Sequence, residues 1–145
     1  MILKKPLFLF LFFIVLVIGI LHQIAIRYYL YWTLDWFDIL MHFLGGFWIA
    51  FATVWTIIFS DYFRFFQNKN FRFFILASFL SAFVIGIFWE IFEYTYDITF
   101  WADGYVFDTV KDLVMDSLGG IVASLFLYKV YKKRLQKIEQ NNVIS

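Results

Sequence analysis

Three pairs of ionisable residues stand at helical spacing in an otherwise apolar chain. Asp38 and His42 are four apart, Glu90 and Glu93 are three apart, and Asp112 and Asp116 are four apart. Residues three or four apart lie one above the other on a single helix face, so each pair presents two polar groups in one direction. A histidine among carboxylates, with no sulfur in reach, is a hard oxygen and nitrogen donor set. It suits Zn, Mn, Fe(II) or Mg rather than Cu(I). Cysteine is absent from the whole chain, which removes disulfides, thiolate sites and iron-sulfur chemistry. There is no Gly-rich phosphate loop and no serine nucleophile with an adjacent histidine. What remains is metal-assisted hydrolysis or the binding of a cation or proton.

The elements that must position these residues are membrane spans. Of 145 residues, 63% are hydrophobic and 26% aromatic, and the mean hydropathy is +0.79. Crossing roughly 30 Å of hydrocarbon takes about 20 apolar residues per helix. Four runs qualify, at 6–26, 36–59, 73–92 and 113–131. The sequence therefore predicts an all-α bundle of four transmembrane helices as one membrane domain over 1–135, with a polar tail at 136–145. Lys4 and Lys5 precede the first run as they would in a signal peptide. That run is long and no small-residue cleavage site follows, so it reads as a retained span.

Positive charge sets the orientation. With the N-terminus cytoplasmic, only Arg27 and Lys111 of the twelve lysines and arginines lie outside, so both termini are inside. The net charge of +1 gives no reason to expect nucleic acid as a partner, and the basic tail reads as a topology signal with affinity for anionic lipid. The same topology sorts the acids. Of eleven Asp and Glu, only Asp61 and Glu139 are inside, and the others gather on the outer side. His42 falls about 9 Å down its span at roughly 1.5 Å per residue. His22 is isolated in sequence and reads as an interfacial donor outside the site.

One phrase is written twice, "DILMHFLGG" from Asp38 and "DLVMDSLGG" from Asp112, with five of nine positions identical. Both copies enter spans that run from outside to inside, as in two related helical hairpins. Convergence on one solution for close helix packing explains the phrase equally well. Gly46-x-x-x-Ala50, Ala82-x-x-x-Gly86 and Gly119-x-x-x-Ala123 are patterns that let backbones approach in a bundle. A carboxylate at the centre of a span costs roughly 2.5–3.5 kcal/mol on insertion scales, and crowding like charges adds to it. Shared protons, a water-filled vestibule or a bound divalent metal must compensate. In the metal version His42, Glu90, Glu93 and Asp116 are the ligands, with His42, Glu90 and Asp116 in the reaction and Asp38 or Asp112 orienting His42.

Capping competes with this reading at Asp38 and Asp112, because an acid in the first turn of a helix is favourable in itself. The stretch from Tyr94 to Thr109 reads as an outer loop with an interfacial aromatic belt. Its alternative is a lid over the acids, with Asp97 or Asp108 facing inward.

"FDILMHFLGGFWIAF", "GIFWEIFEY" and "DTVKDLVMDSLGG" resemble the three motif regions of VanZ-like membrane proteins, and more closely those of YjdF-like bacterial inner-membrane proteins. The resemblance covers about 38–124. Asp38, His42, Glu90, Asp112 and Gly119 match the VanZ-like pattern. Glu93 stands where that pattern has Gln, and Asp116 where it has Asn, so this site is more acidic. The resemblance implies a multi-pass protein of the bacterial cytoplasmic membrane acting at the cell envelope; VanZ-like proteins are associated with low-level teicoplanin resistance. Three functional classes stay open. One is a metal-dependent enzyme acting on an outer-leaflet lipid or envelope precursor. The second is a cation or proton site for transport, in which four short spans call for a homo-oligomer. The third is a structural membrane protein.

The topology is tested by fusing a reporter after Ser145. It should report a cytoplasmic position, and a periplasmic signal there would overturn the sorting of the acids.

Overall fold

The computed structural model describes residues 4–59, 70–96 and 105–144. The described chain is α-helical throughout, with no strand among those residues. The first helix, α1 (Lys4–Tyr28), tolerates Pro6 because a proline in the first turn removes no intrahelical hydrogen bond. It ends where Tyr29 adopts a left-handed conformation, φ 57°. One short turn, α2 (Leu30–Thr33), follows, its amides at Trp32 and Thr33 donating to the Tyr29 carbonyl. Leu34 is extended and ends that turn, and its carbonyl accepts from Phe37 in the first turn of α3 (Asp35–Phe59). Asp35 and Asp38 occupy that first turn, where the helix dipole favours negative charge. The next helix, α4 (Phe71–Thr95), is capped by Asn70, whose side chain accepts from the Phe73 amide at 2.9 Å. The last, α5 (Tyr105–Ile144), runs for 40 residues.

Four of these helices are long and apolar enough to cross a membrane, over Pro6–Tyr28, Asp35–Ile58, Phe71–Thr95 and Val106–Lys133. The last starts well before the expected position 113. Apolar counting stops at Asp108, Lys111 and Asp112, but on a helix those charges fall on a shared face and pair with one another, so the helix continues through them. Tyr105 to Thr109 is therefore helical rather than loop. The polar stretch after Lys132 continues the same helix to Ile144. A lid built on Asp97, and the loop through Lys69 that the sequence reads as cytoplasmic, lie outside the described residues.

At the centre of the bundle are α3 and α5, which pack on each other more extensively than any other pair; α4 lies against both, and α1 against α3. Burial follows the same order, with a third of the α3 and α5 spans inside the bundle against 11% of α1. The apolar core occupies the end away from the acids. It joins Leu7 and Leu11 of α1, Ala50, Phe51 and Val54 of α3, Phe74 and Ala82 of α4, and Ala123 and Leu127 of α5. The Trp48 indole donates to the Leu11 carbonyl at 3.0 Å, tying α3 to α1 within this apolar layer.

Glycines set the approach of the central helices. A Cβ built on Gly46 would fall onto the backbone of Asp116, and one on Gly119 onto the backbone at Phe43 and Phe47. A Cβ on Gly120 would meet the Ser78 carbonyl and Ala82 of α4. The small-residue patterns in the sequence thus mark real seams, and Ala50, Ala82 and Ala123 are buried within them. Gly45, in contrast, has nothing within 4 Å of an added Cβ.

The adjacent glycines therefore predict opposite outcomes. Gly46→Ala should lower stability by about 1–3 kcal/mol or more, because the obstacle is backbone rather than a movable side chain. Gly45→Ala should be neutral or slightly stabilising, since it only adds helix propensity. Thermal unfolding of both variants in detergent separates the two.

Candidate functional site

The close crossing of α3 and α5 brings His42 and Asp116, 74 residues apart, into hydrogen-bonding contact at 3.3 Å between Nδ1 and Oδ2. The opposite ring nitrogen, Nε2, faces two further carboxylates. Asp38 Oδ1 is 3.8 Å away and Asp112 Oδ2 is 4.0 Å away. Those distances are too long for direct hydrogen bonds. Donors bound to one small divalent ion at 2.0–2.2 Å stand roughly 3–4 Å apart. One donor atom each from Asp38, His42 and Asp112 lies within 4.8 Å of the others, so the three enclose a space of about that size.

Burial sharpens the arrangement. His42 is 7% exposed, Asp112 2% and Asp116 6%. Oδ1 of Asp112 has no hydrogen-bond partner, and the Lys111 ammonium is 3.9 Å from it. Lys111 is itself bonded to Asp108 one turn earlier. A buried carboxylate oxygen left without a partner is costly, and a bound cation or a proton relieves it. The donor chemistry and this orphaned oxygen both fit a divalent metal.

Glu90 approaches from α4. Thr109 of α5 donates to its Oε2 at 2.8 Å, and its Oε1 is buried without a partner. One turn below, Gly86 makes room for the Asp116 carboxylate, since a Cβ there would collide with Asp116 Oδ2. Three helices thus converge on one polar volume. Glu93 sits apart from the trio, accepting from the Trp89 indole at 2.8 Å.

The six residues named from sequence are therefore distributed unevenly. Asp38, His42 and Asp112 form the compact trio, Asp116 secures the far nitrogen of His42, Glu90 stands beside them, and Glu93 lies at the rim. The two aspartates expected to orient the imidazole face Nε2, and the one expected to ligate holds Nδ1. Thr109 falls in the stretch that the sequence reads as a loop, although it lies three residues before Asp112 and hence on the same helix face. His22, read from sequence as an interfacial donor outside the site, has a partner elsewhere. In the fold, His22 Nδ1 is 2.9 Å from the Tyr31 hydroxyl, and Tyr31 packs edge-on against Phe37. No local signal in the sequence pairs His22 with a residue beyond the break at Tyr29.

Tyr31 lies in α2, between the first two spans. Burial pushes its phenol up to about 12, and the carboxylates of Asp38 and Glu93 act in the same direction. The turn packs against α1 and α3.

The chain belongs to the family DUF2238, described as predicted membrane proteins, which matches residues 4–133. No curated protein and no solved structure matches the chain.

The Tyr31 phenol gives a signed pH dependence. The folded state keeps its proton up to about pH 12, whereas an unfolded chain loses it near 10.0, so the unfolded state binds fewer protons between those values. Its contribution to stability is complete below pH 10 and is lost as the pH rises through 12. Tyr31→Phe should flatten that decline relative to wild type, as read by thermal unfolding below and within the window.

Proposed function

We propose that this DUF2238 member is a VanZ- and YjdF-like protein of the bacterial cytoplasmic membrane that holds a divalent cation between Asp38, His42 and Asp112. One observation carries the proposal. The two nitrogens of His42 are divided, with Asp116 on Nδ1 and two carboxylates facing Nε2. Histidine ligands characteristically present one nitrogen to the metal while the other donates to a carboxylate that fixes the ring and its tautomer. Asp116 is in position to do this. Asp38 and Asp112 supply hard oxygen donors, and Asp112 has an oxygen to spare.

A divalent ion bound there would supply Lewis acidity and an activated water. The protein's own groups do the rest. Glu90, bonded to Thr109 at one oxygen and without a hydrogen-bond partner at the other, would accept a proton from a molecule bound beside the trio. Gly86 and the glycines of the α3–α5 seam pack without room for a Cβ behind this site. The site would act on the polar end of a membrane lipid or an envelope precursor.

Translocation is supported less well. Directly below the polar volume, Gly46 meets the Asp116 backbone, Gly119 meets Phe43 and Phe47, and Gly120 meets Ser78. Beneath these, Phe51, Val54, Phe74 and Leu127 are 0–1% exposed. A cation entering at the acidic end meets a closed floor, which favours a blind pocket over a path through one copy of the chain.

Metal content measured by mass spectrometry after incubation with divalent ions tests the proposal. Wild type should carry near-stoichiometric metal. Asp38→Asn and Asp112→Asn should lose it, Asp116→Asn should bind about 10- to 100-fold more weakly, and Glu90→Gln should keep it. Metal-free wild type under every ion tried would overturn the proposal.

A further inference from the structure

The carboxylate of Asp112 stands between two nitrogens and bonds to neither. Its Oδ2 is 4.0 Å from His42 Nε2 across the helix crossing, and its Oδ1 is 3.9 Å from the Lys111 ammonium on the same helix. Both distances exceed a hydrogen bond. Oδ1 is thus buried and unpartnered with a permanent cation beside it.

Asp108 holds the ammonium short of that oxygen. Asp108 and Asp112 are four apart on one face of α5, and Lys111 bonds the first, which is half-exposed, while only approaching the second. A charge-assisted bond from nitrogen to a carboxylate spans about 2.7–2.9 Å, so a shift of roughly 1 Å exchanges one partner for the other. The flexible four-carbon stem of lysine allows it. Electrostatics then decides where the ammonium rests. With a divalent ion among Asp38, His42 and Asp112, a further positive charge on Asp112 is repelled and weakens that carboxylate as a ligand. The position on Asp108 suits Lys111 in that state. Without the ion, Asp112 is a buried carboxylate with an unanswered oxygen, whereas Asp108 is exposed enough for water to replace the lysine. The preference is reversed.

We propose that Lys111 is the internal counter-ion of the trio, its ammonium crossing from Asp108 to Asp112 when the divalent ion leaves and returning when one binds. The proposal rests on the cation reading above and adds its regulation. Lys111 and the ion compete for one carboxylate, so each lowers the other's hold on it.

Calorimetric titration of the detergent-purified full chain with zinc, manganese(II) and magnesium ions in parallel tests it. Lys111→Met should bind its ion about tenfold more tightly than wild type, the factor that ~1.4 kcal/mol gives. Arg27→Met, which removes an exposed positive charge from the last turn of α1, should bind as wild type does. Asp108→Asn releases the ammonium to Asp112 and should weaken binding about tenfold, whereas in the Lys111→Met background the same change should cost less than about threefold. Unchanged or weaker binding in Lys111→Met, or an equal effect of Asp108→Asn in both backgrounds, would overturn the competition and leave the cation site standing. Wild type that binds none of the ions would retire the site and the competition together. Should Lys111→Met fail to fold, acetylation of Lys111 in wild type, read by peptide mass spectrometry, decides instead: saturating ion should speed it severalfold, and equal rates with and without ion overturn the exchange.

Discussion

The close parallel crossing of α3 and α5 is the contact on which the polar end depends. Where Gly46 lies on the Asp116 backbone and Gly119 lies on Phe43 and Phe47, no side chain separates the two helices. At that separation, residues one turn toward the polar end reach across directly, and His42 meets Asp116 while Asp38 and Asp112 both turn toward Nε2. A methyl group at either glycine would push the backbones apart by more than these interactions tolerate. Packing at the seam and chemistry at the site are therefore one constraint.

Much of this was legible because the bilayer simplifies the reading. Four long apolar runs leave few ways to fold, and polar residues at a common depth in three of them have few places to go but toward one another. The helical spacing of Asp38 with His42 and of Asp112 with Asp116 fixed a shared direction within each helix. It did not fix the rotation of one helix against another. That rotation decides which carboxylate faces which nitrogen, so the roles of Asp38, Asp112 and Asp116 needed coordinates. Glu93 illustrates the same limit. Three residues on a helix amount to 300°, close enough to Glu90 to share a face, yet far enough for Glu93 to turn to Trp89 at the rim.

The start of α5 and the partner of His22 were hidden for different reasons. Apolar counting ends a span at its first charges, although charges that pair along a helix face do not end the helix, and Thr109 was lost with that boundary. His22 contacts Tyr31 only because the chain reverses at Tyr29. A left-handed residue that is neither glycine nor asparagine carries no sequence signature.

The repeated phrase has a physical meaning that holds whatever its origin. His42 and Asp116 occupy the same position of the two copies, as do Asp38 and Asp112, and at the polar end equivalent residues face each other as they would about a local two-fold axis. Below them the equivalence breaks. Gly46 packs on α5, while its counterpart Gly120 packs on α4; Gly119 packs on α3, while its counterpart Gly45 meets nothing. The asymmetry follows from the neighbours, since α4 lies against both central helices whereas α1 lies mainly against one. A symmetric pair of helices would place two identical groups at the centre, and two carboxylates or two imidazoles there would repel or compete for one proton. With histidine in one copy and aspartate in the other, the central pair becomes a donor and an acceptor, and the second imidazole nitrogen faces Asp38 and Asp112.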